Sequence, residues 1–223
     1  MKSLEHILSP EDLRAFGINV FRGPFEEVKK LIEEKNIDAN SVYDEKRNQS
    51  LLSDCIRGAK YGSDNLKLAA YLLKKGANPN IQDSSRNSAF HEALYLGNLD
   101  MIELLLQYEV EVNQKSGSGY SSFFGFLKFV YEELADKGIP LKKRCLAIVE
   151  EMLKRGADID LPSSYGTTPR TFYFNELASV HALFDKYDKL ALPKQSATEQ
   201  GPPSTLKYPK VCKEIWAKFV PKN

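Results

Sequence analysis

Four stretches of this chain end alike, and a repeat of that kind restricts the fold more than any other feature of the sequence. They are LIEEKNIDAN (31–40), YLLKKGANPN (71–80), LLLQYEVEVN (104–113) and EMLKRGADID (151–160). In each, an apolar pair lies on one helical face, a polar pair follows, and a helix-stop position leads to a terminal Asn or Asp. Gly76 and Gly156 fall where a helix ends on a residue of positive φ, which glycine adopts without steric cost. Asn36 fills that place in the first copy, and Glu109 departs from it in the third, which predicts a local weak point there. One helix pair cannot bury its apolar face alone, so copies must stack on one another.

The beginnings of the copies recur as well. Residues 83–97 read DSSRNSAFHEALYLG and residues 163–174 read SSYGTTPRTFYF. Ser88, Ala89, Phe90, His91 and Ala93 match conservatively the T-P-L-H-x-A stretch of the ankyrin consensus, and Gly97 closes the helix pair. Gly166, Thr168 and Pro169 match the turn and helix start in the last copy: a threonine hydroxyl caps free N–H groups, and proline at the first helical position lacks a donor that had no partner. The chain thus resembles the ankyrin-repeat family over about 180 residues. That resemblance implies an all-α solenoid of stacked helix-turn-helix pairs with short hairpin loops.

The expected register is five degenerate repeats at about 11–40, 44–80, 83–113, 116–160 and 163–190, forming a domain over 1–190. Asn40, Asn80, Asn113 and Asp160 stand 40, 33 and 47 residues apart. The surplus is placed at 59–64 (AKYGSD) and 131–144 (YEELADKGIPLKKR), between the two helices of a repeat, where a loop can grow without disturbing the stack. The second insertion is expected to lengthen the first helix, since Phe126, Leu127, Val130 and Leu134 keep helical spacing before Gly138-Ile139-Pro140 ends it. Repeat one, with Glu26, Glu27, Lys29, Lys30, Glu33 and Glu34 in its second helix, reads as a polar cap. Residues 191–207, opening ALPKQSATEQGPPST, read as a linker. Residues 208–223 form a basic amphipathic segment with Val211, Ile215, Trp216 and Phe219 on one side. It either packs back on the last repeat or anchors a partner through Trp216 and Phe219.

Composition removes several classes of function. A net charge of +1 argues against nucleic acid, whose binders show a concentrated basic excess. Cys55, Cys145 and Cys212 are isolated, without CxxC spacing, and read as reduced thiols rather than as a disulfide framework or zinc site. The N-terminus lacks a signal-peptide core, and no apolar run approaches the roughly 18 residues of a membrane span. A cytoplasmic protein is expected.

No reaction is suggested, and no catalytic residue, metal site or cofactor is expected. HEALY (91–95) is not HExxH, and SGSGY (116–120) lacks the strand and the full GxSxG or GK[ST] context. His91 stands at the consensus ankyrin histidine, for which the resemblance implies a structural hydrogen-bonding role. His6 and His181 have no fixed-spacing partner and read as surface residues.

The resemblance also implies where a partner docks, on the concave face of hairpin tips and first helices. Carried over position by position, that face comprises Arg57, Ser84, Ser85, Asn87, Tyr95, Leu96, Ser118, Tyr120, Lys128, Phe129, Tyr165 and Asn175, with Trp216 and Phe219 as a second contact. Phe129 sits among Phe123, Phe124 and Phe126, so core and surface are both open to it. The expected function is non-catalytic binding of one dedicated protein partner by a chain that is monomeric when free. Binding as the sole output fits an inhibitor, or an immunity protein that neutralises a toxin or enzyme. The alternative is an adaptor or secreted effector that recruits cellular machinery through the repeats and the C-terminal segment.

Overall fold

A computed structural model describes residues 3–43, 45–59, 64–136, 139–172 and 178–188, all within the unit Met1–Leu190. They form ten α-helices in five consecutive pairs: α1 (Pro10–Arg22) with α2 (Phe25–Glu34), α3 (Leu51–Gly58) with α4 (Asp64–Lys74), α5 (Ala89–Tyr95) with α6 (Leu99–Leu105), α7 (Ser122–Asp136) with α8 (Ile139–Lys154), and α9 (Pro169–Phe172) with α10 (Ala178–Asp188). First helices pack on first helices, from α1 to α3, α5, α7 and α9, and second helices on second helices, from α2 to α4, α6, α8 and α10. Two helical layers share one continuous core, from Leu4 and Phe16 at one end to Val180 and Phe184 at the other. The order of pairs is the solenoid that the repeat implies.

Local chemistry fixes the helix starts. Ser9, Ser50, Ser88 and Asn98 accept the free N–H of Asp12, Ser53, His91 and Met101 with their side-chain oxygens. At α9, Thr168 and Thr171 cap each other: each hydroxyl accepts the other's N–H, at 3.2 and 3.0 Å. Asn36, Gly76 and Gly156 take φ of 48°, 90° and 81° after the second helices. The next residue then closes the helix end in each case, with Ile37 bonded to Ile32, Ala77 to Leu72 and Ala157 to Met152 at 2.9–3.0 Å.

The third copy lacks a positive-φ residue, and its weak end is mended from outside. Arg155, just past α8, donates to the carbonyls of Leu106 and Tyr108, which the short helix α6 leaves without helical partners. Glu151 holds the same guanidinium at 2.9 Å.

The terminal asparagines clamp one repeat to the next. The Asn40 amide donates to the Gly76 carbonyl at 2.9 Å and accepts the Asn78 N–H at 2.7 Å. Asn80 does the same to Glu109 and Glu111, and Asn113 to Gly156 and Asp158. Asp160 ends the ladder on Arg170, which spans it and Asp188.

Both surplus segments fall between paired helices. Residues 60–63 lie outside the described residues. The 131–144 insertion is helical on both sides: α7 runs to Asp136, and α8 begins at Ile139 with Pro140 in its first turn, where proline is tolerated. The Gly138-Ile139-Pro140 signal therefore starts a helix as well as stopping one. Repeat one is capped by α2, whose acidic and basic residues lie around buried Val28 and Ile32. An N-terminal 3-10 turn over Leu4–His6 adds to this cap, with Leu4 fully buried and its N–H on the Val42 carbonyl at 2.8 Å.

Candidate functional site

Four hairpins join the repeats on one side of the stack. The tips close in the same way, with Tyr43 bonded to Gln49, Asp83 to Asn87, Ser116 to Tyr120 and Ser163 to Thr167. Each needs one residue of positive φ, supplied by Asn48, Arg86, Gly119 and Gly166. Successive tips touch closely. A Cβ on Gly117 would lie 2.1 Å from the Ser85 carbonyl oxygen, and one on Gly119 would lie 1.9 Å from the Ser164 hydroxyl. The small residues of SGSGY are thus required by the approach of neighbouring hairpins.

His91 registers α5 against the hairpin that follows. The Ser88 N–H donates to Nδ1 at 3.2 Å, which makes Nδ1 an acceptor and leaves Nε2 to donate to the Gln114 carbonyl at 3.0 Å. The Ser122 hydroxyl sits 3.1 Å from Nε2. Burial lowers the His91 pKa, so the neutral ring is the form this network holds. His6 is exposed beside Glu45 at 3.7 Å, while His181 is half-buried with its ring edge-on to Phe184.

The expected partner-binding residues sort into three groups. Ser84, Ser85, Asn87, Tyr95 and Ser118 come together, with Arg86 and Gly117, around an open depression of about 560 Å³ at the tips of the second and third hairpins. Tyr95 lines it and is 85% exposed. Tyr120 and Tyr165 form a second group, with ring centroids 6.1 Å apart. Tyr165 is 65% exposed. Tyr120 is half-buried: its ring stacks on Phe124 at 4.8 Å, and Lys128 Nζ lies 4.9 Å from its centroid. It serves as a shelf supporting Tyr165 more than as a free anchor. Arg57 is exposed near Asp54 and Glu92, whose carboxyl pKa values burial raises and Arg57 partly offsets.

Phe129 and Leu96 belong to the packing. Phe129 is half-buried, stacks on Phe126 at 5.9 Å, and lies where a Cβ on Gly97 would meet its ring at 2.2 Å. The missing side chain at Gly97 makes the seat that draws this ring off the surface. Leu96 is half-buried against the core. Asn175, Trp216 and Phe219, like the 191–207 linker and the 208–223 segment, lie outside the described residues. Sequence reasoning passed over Arg86, whose signal was its place: the later hairpins carry Gly119 and Gly166 there.

Among the described residues no cluster of His, Cys, Asp and Glu could hold a metal ion, and no helix is long and apolar enough to cross a membrane. Cys55 and Cys145 are buried and free of disulfides. Burial pushes the Cys55 thiol up to about 12, which suits a packing residue rather than a nucleophile.

Comparison with known proteins agrees with this geometry. The sequence profile of the family described as ankyrin repeats (many copies) matches residues 55–106. The ankyrin repeat protein L92 of Acanthamoeba polyphaga mimivirus is 37% identical over 75 residues, which cover 32% of this chain and 18% of that protein. The ankyrin repeat protein FPV024 of Fowlpox virus (strain NVSL) is 37% identical over 57 residues, covering 25% of this chain and 10% of that protein. The chain therefore spans a small part of the length of the curated relatives it matches. Ankyrin repeats are in general a non-catalytic protein–protein interaction module. The profile match covers residues 55–106, and the helix pairs of the structure continue the same pattern through residue 188.

Proposed function

We propose that the protein binds one dedicated protein partner through the face made by its hairpin tips and first helices, and that this binding inhibits the partner. The observation that carries the reading is the exposure of Tyr95 and Tyr165, at 85% and 65%. They are the exposed aromatic rings among the described residues, and both stand on the hairpin side. Aromatic rings supply large contact area at low entropy cost and dominate interface hot spots. Hairpins locked to each other by Gly117, Gly119 and His91 offer them on a rigid base, so little ordering is lost on binding. A preformed face that covers a partner's active site is sufficient for inhibition. The free buried thiols fit a reducing cytoplasm, and the free protein is taken as a monomer.

Co-purification of the full chain from its native cell tests the reading. A single stoichiometric protein partner is expected, lost when Tyr95→Ala and Tyr165→Ala are combined, and its activity should fall on complex formation. Recovery of no stoichiometric partner would count against binding; a partner whose activity is unchanged would remove the inhibitor role alone.

A further inference from the structure

We infer that the depression between the second and third hairpin tips receives a carboxylate of the partner, from an aspartate or glutamate displayed beside an apolar side chain, with Arg86 taking the carboxylate and Tyr95 the apolar neighbour. This rests on the binding face proposed above and specifies its chemistry.

Four observations converge on Arg86. Its φ is +60°, the left-handed region that the third and fourth hairpins fill with Gly119 and Gly166. An arginine held where glycine fits more easily is backbone strain at a surface, and such strain concentrates at ligand sites. Second, the guanidinium has no carboxylate within ion-pair distance among the described residues, although ten such pairs occur elsewhere in the stack. The nearest acid in sequence, Asp83, is committed to its own turn, accepting the N–H groups of Ser85 and Asn87 at 2.8 Å each. Third, no acidic side chain lines the depression; its polar groups are hydroxyls, an amide and the arginine. Fourth, two of its lining residues are fixed against each other, since Gly117 lies so near the Ser85 carbonyl that a Cβ there would come within 2.1 Å of its oxygen.

The neighbouring charges decide which anion fits. A planar guanidinium fork matches a carboxylate with two parallel hydrogen bonds. A phosphate dianion would call for a second cation, and Lys128 is held over the Tyr120 ring while Arg57 faces Asp54 and Glu92. Tyr95 lines the same depression, which favours an apolar residue next to the acid.

The test is selection of a random peptide library displayed on phage against the full chain, with affinities of the selected peptides then measured by fluorescence polarisation. Enrichment of Asp or Glu adjacent to an apolar residue is expected. Arg86→Gly, which relieves the φ strain and keeps the hairpin, should weaken the selected peptides roughly tenfold or more, as should replacing their acid by its amide. Tyr95→Ala should weaken them too. Peptides without acidic preference, lost with Tyr95→Ala but indifferent to Arg86→Gly, would overturn the carboxylate site and leave the binding face standing. Indifference to both substitutions would remove both. A phosphoserine peptide that binds tenfold tighter than its glutamate counterpart would overturn the inference in favour of phosphate, and a selection that enriches nothing overturns it as well.

Discussion

Arg86 and His91, five residues apart, show how one hairpin carries opposite conformational interests. Arg86 at φ +60° gives up backbone energy that a glycine would recover. Arg86→Gly should therefore leave the fold intact and raise stability by up to about 1 kcal/mol, read as a higher urea midpoint with unchanged slope. A loss of stability would mean that the side chain contributes to the fold and is not held for binding. His91 contributes through its neutral form. Burial lowers its folded pKa below the unfolded value, so the unfolded chain binds the proton more readily. The stability it gives is present above the unfolded histidine pKa of about 6.5, and is lost as pH falls from there towards the folded value. The carboxyls of Asp54 and Glu92, raised by burial, titrate with the opposite sign. The His91 share is thus the difference between wild type and His91→Gln. Between pH 7 and 5 the wild type should lose more stability than the variant. Parallel curves would refute this account of the ring.

At the level of elements, α1 and α3 approach closely. A Cβ on Gly58 would lie 1.6 Å from the Phe21 carbonyl oxygen, and beside it Asn65 donates to the carbonyls of Val20, Phe21 and Cys55. Alanine favours a helix, yet here it would meet backbone that cannot turn aside. Gly58→Ala should destabilise by about 2–4 kcal/mol, measured by thermal or urea unfolding, while Gly125→Ala, with open space at its Cβ, should be neutral or stabilising. The contrast separates crowding from helix propensity. It also marks what a sequence can disclose. Gly76, Gly156, the Thr168-Pro169 start and the terminal asparagines announce themselves because they act within one turn or recur at each copy. Gly58, Asn65 and Arg155 act on backbone 37 to 49 residues away, with no periodic signal, so nothing local distinguishes them from ordinary helix residues. The site was legible to the same degree. Hairpin positions gave Ser84, Ser85 and Tyr165, and the end of a first helix gave Tyr95, whereas the seat that Gly97 makes for Phe129 depends on two helices meeting.

Over the whole molecule, a solenoid is only as cooperative as its weakest interface, because each repeat touches only its neighbours. The boundary between repeats three and four is where the third copy lacks its positive-φ helix end, and the next repeat supplies the missing contacts. Asn113 reaches Gly156 and Asp158, Arg155 reaches Leu106 and Tyr108, and Arg144 reaches Asp100 and Glu103 at 2.7–3.0 Å. The Arg144 pair is exposed enough to contribute little by itself. The Asn113 and Arg155 bonds go to backbone groups that the helices leave unpaired, the Tyr108 carbonyl being shared with the Val110 N–H, and removing either side chain should cost about 1–2 kcal/mol. Asn113→Ala combined with Arg155→Ala should therefore loosen this boundary without emptying the core. Repeats four and five then have one weakened neighbour on which to lean, and they should open as a unit before the rest. Native-state hydrogen exchange reads this directly: amides of α8 and α10 should exchange at a lower free energy than those of α3 and α4, while in the wild type the two groups lie closer together. A uniform fall across all helices would mean instead that the interface couples the stack so strongly that no part can open alone. The same boundary carries the contact between Gly117 and Ser85, both of which line the proposed carboxylate site, so a partner bound there should raise the exchange free energy of α8 and α10 in the double variant.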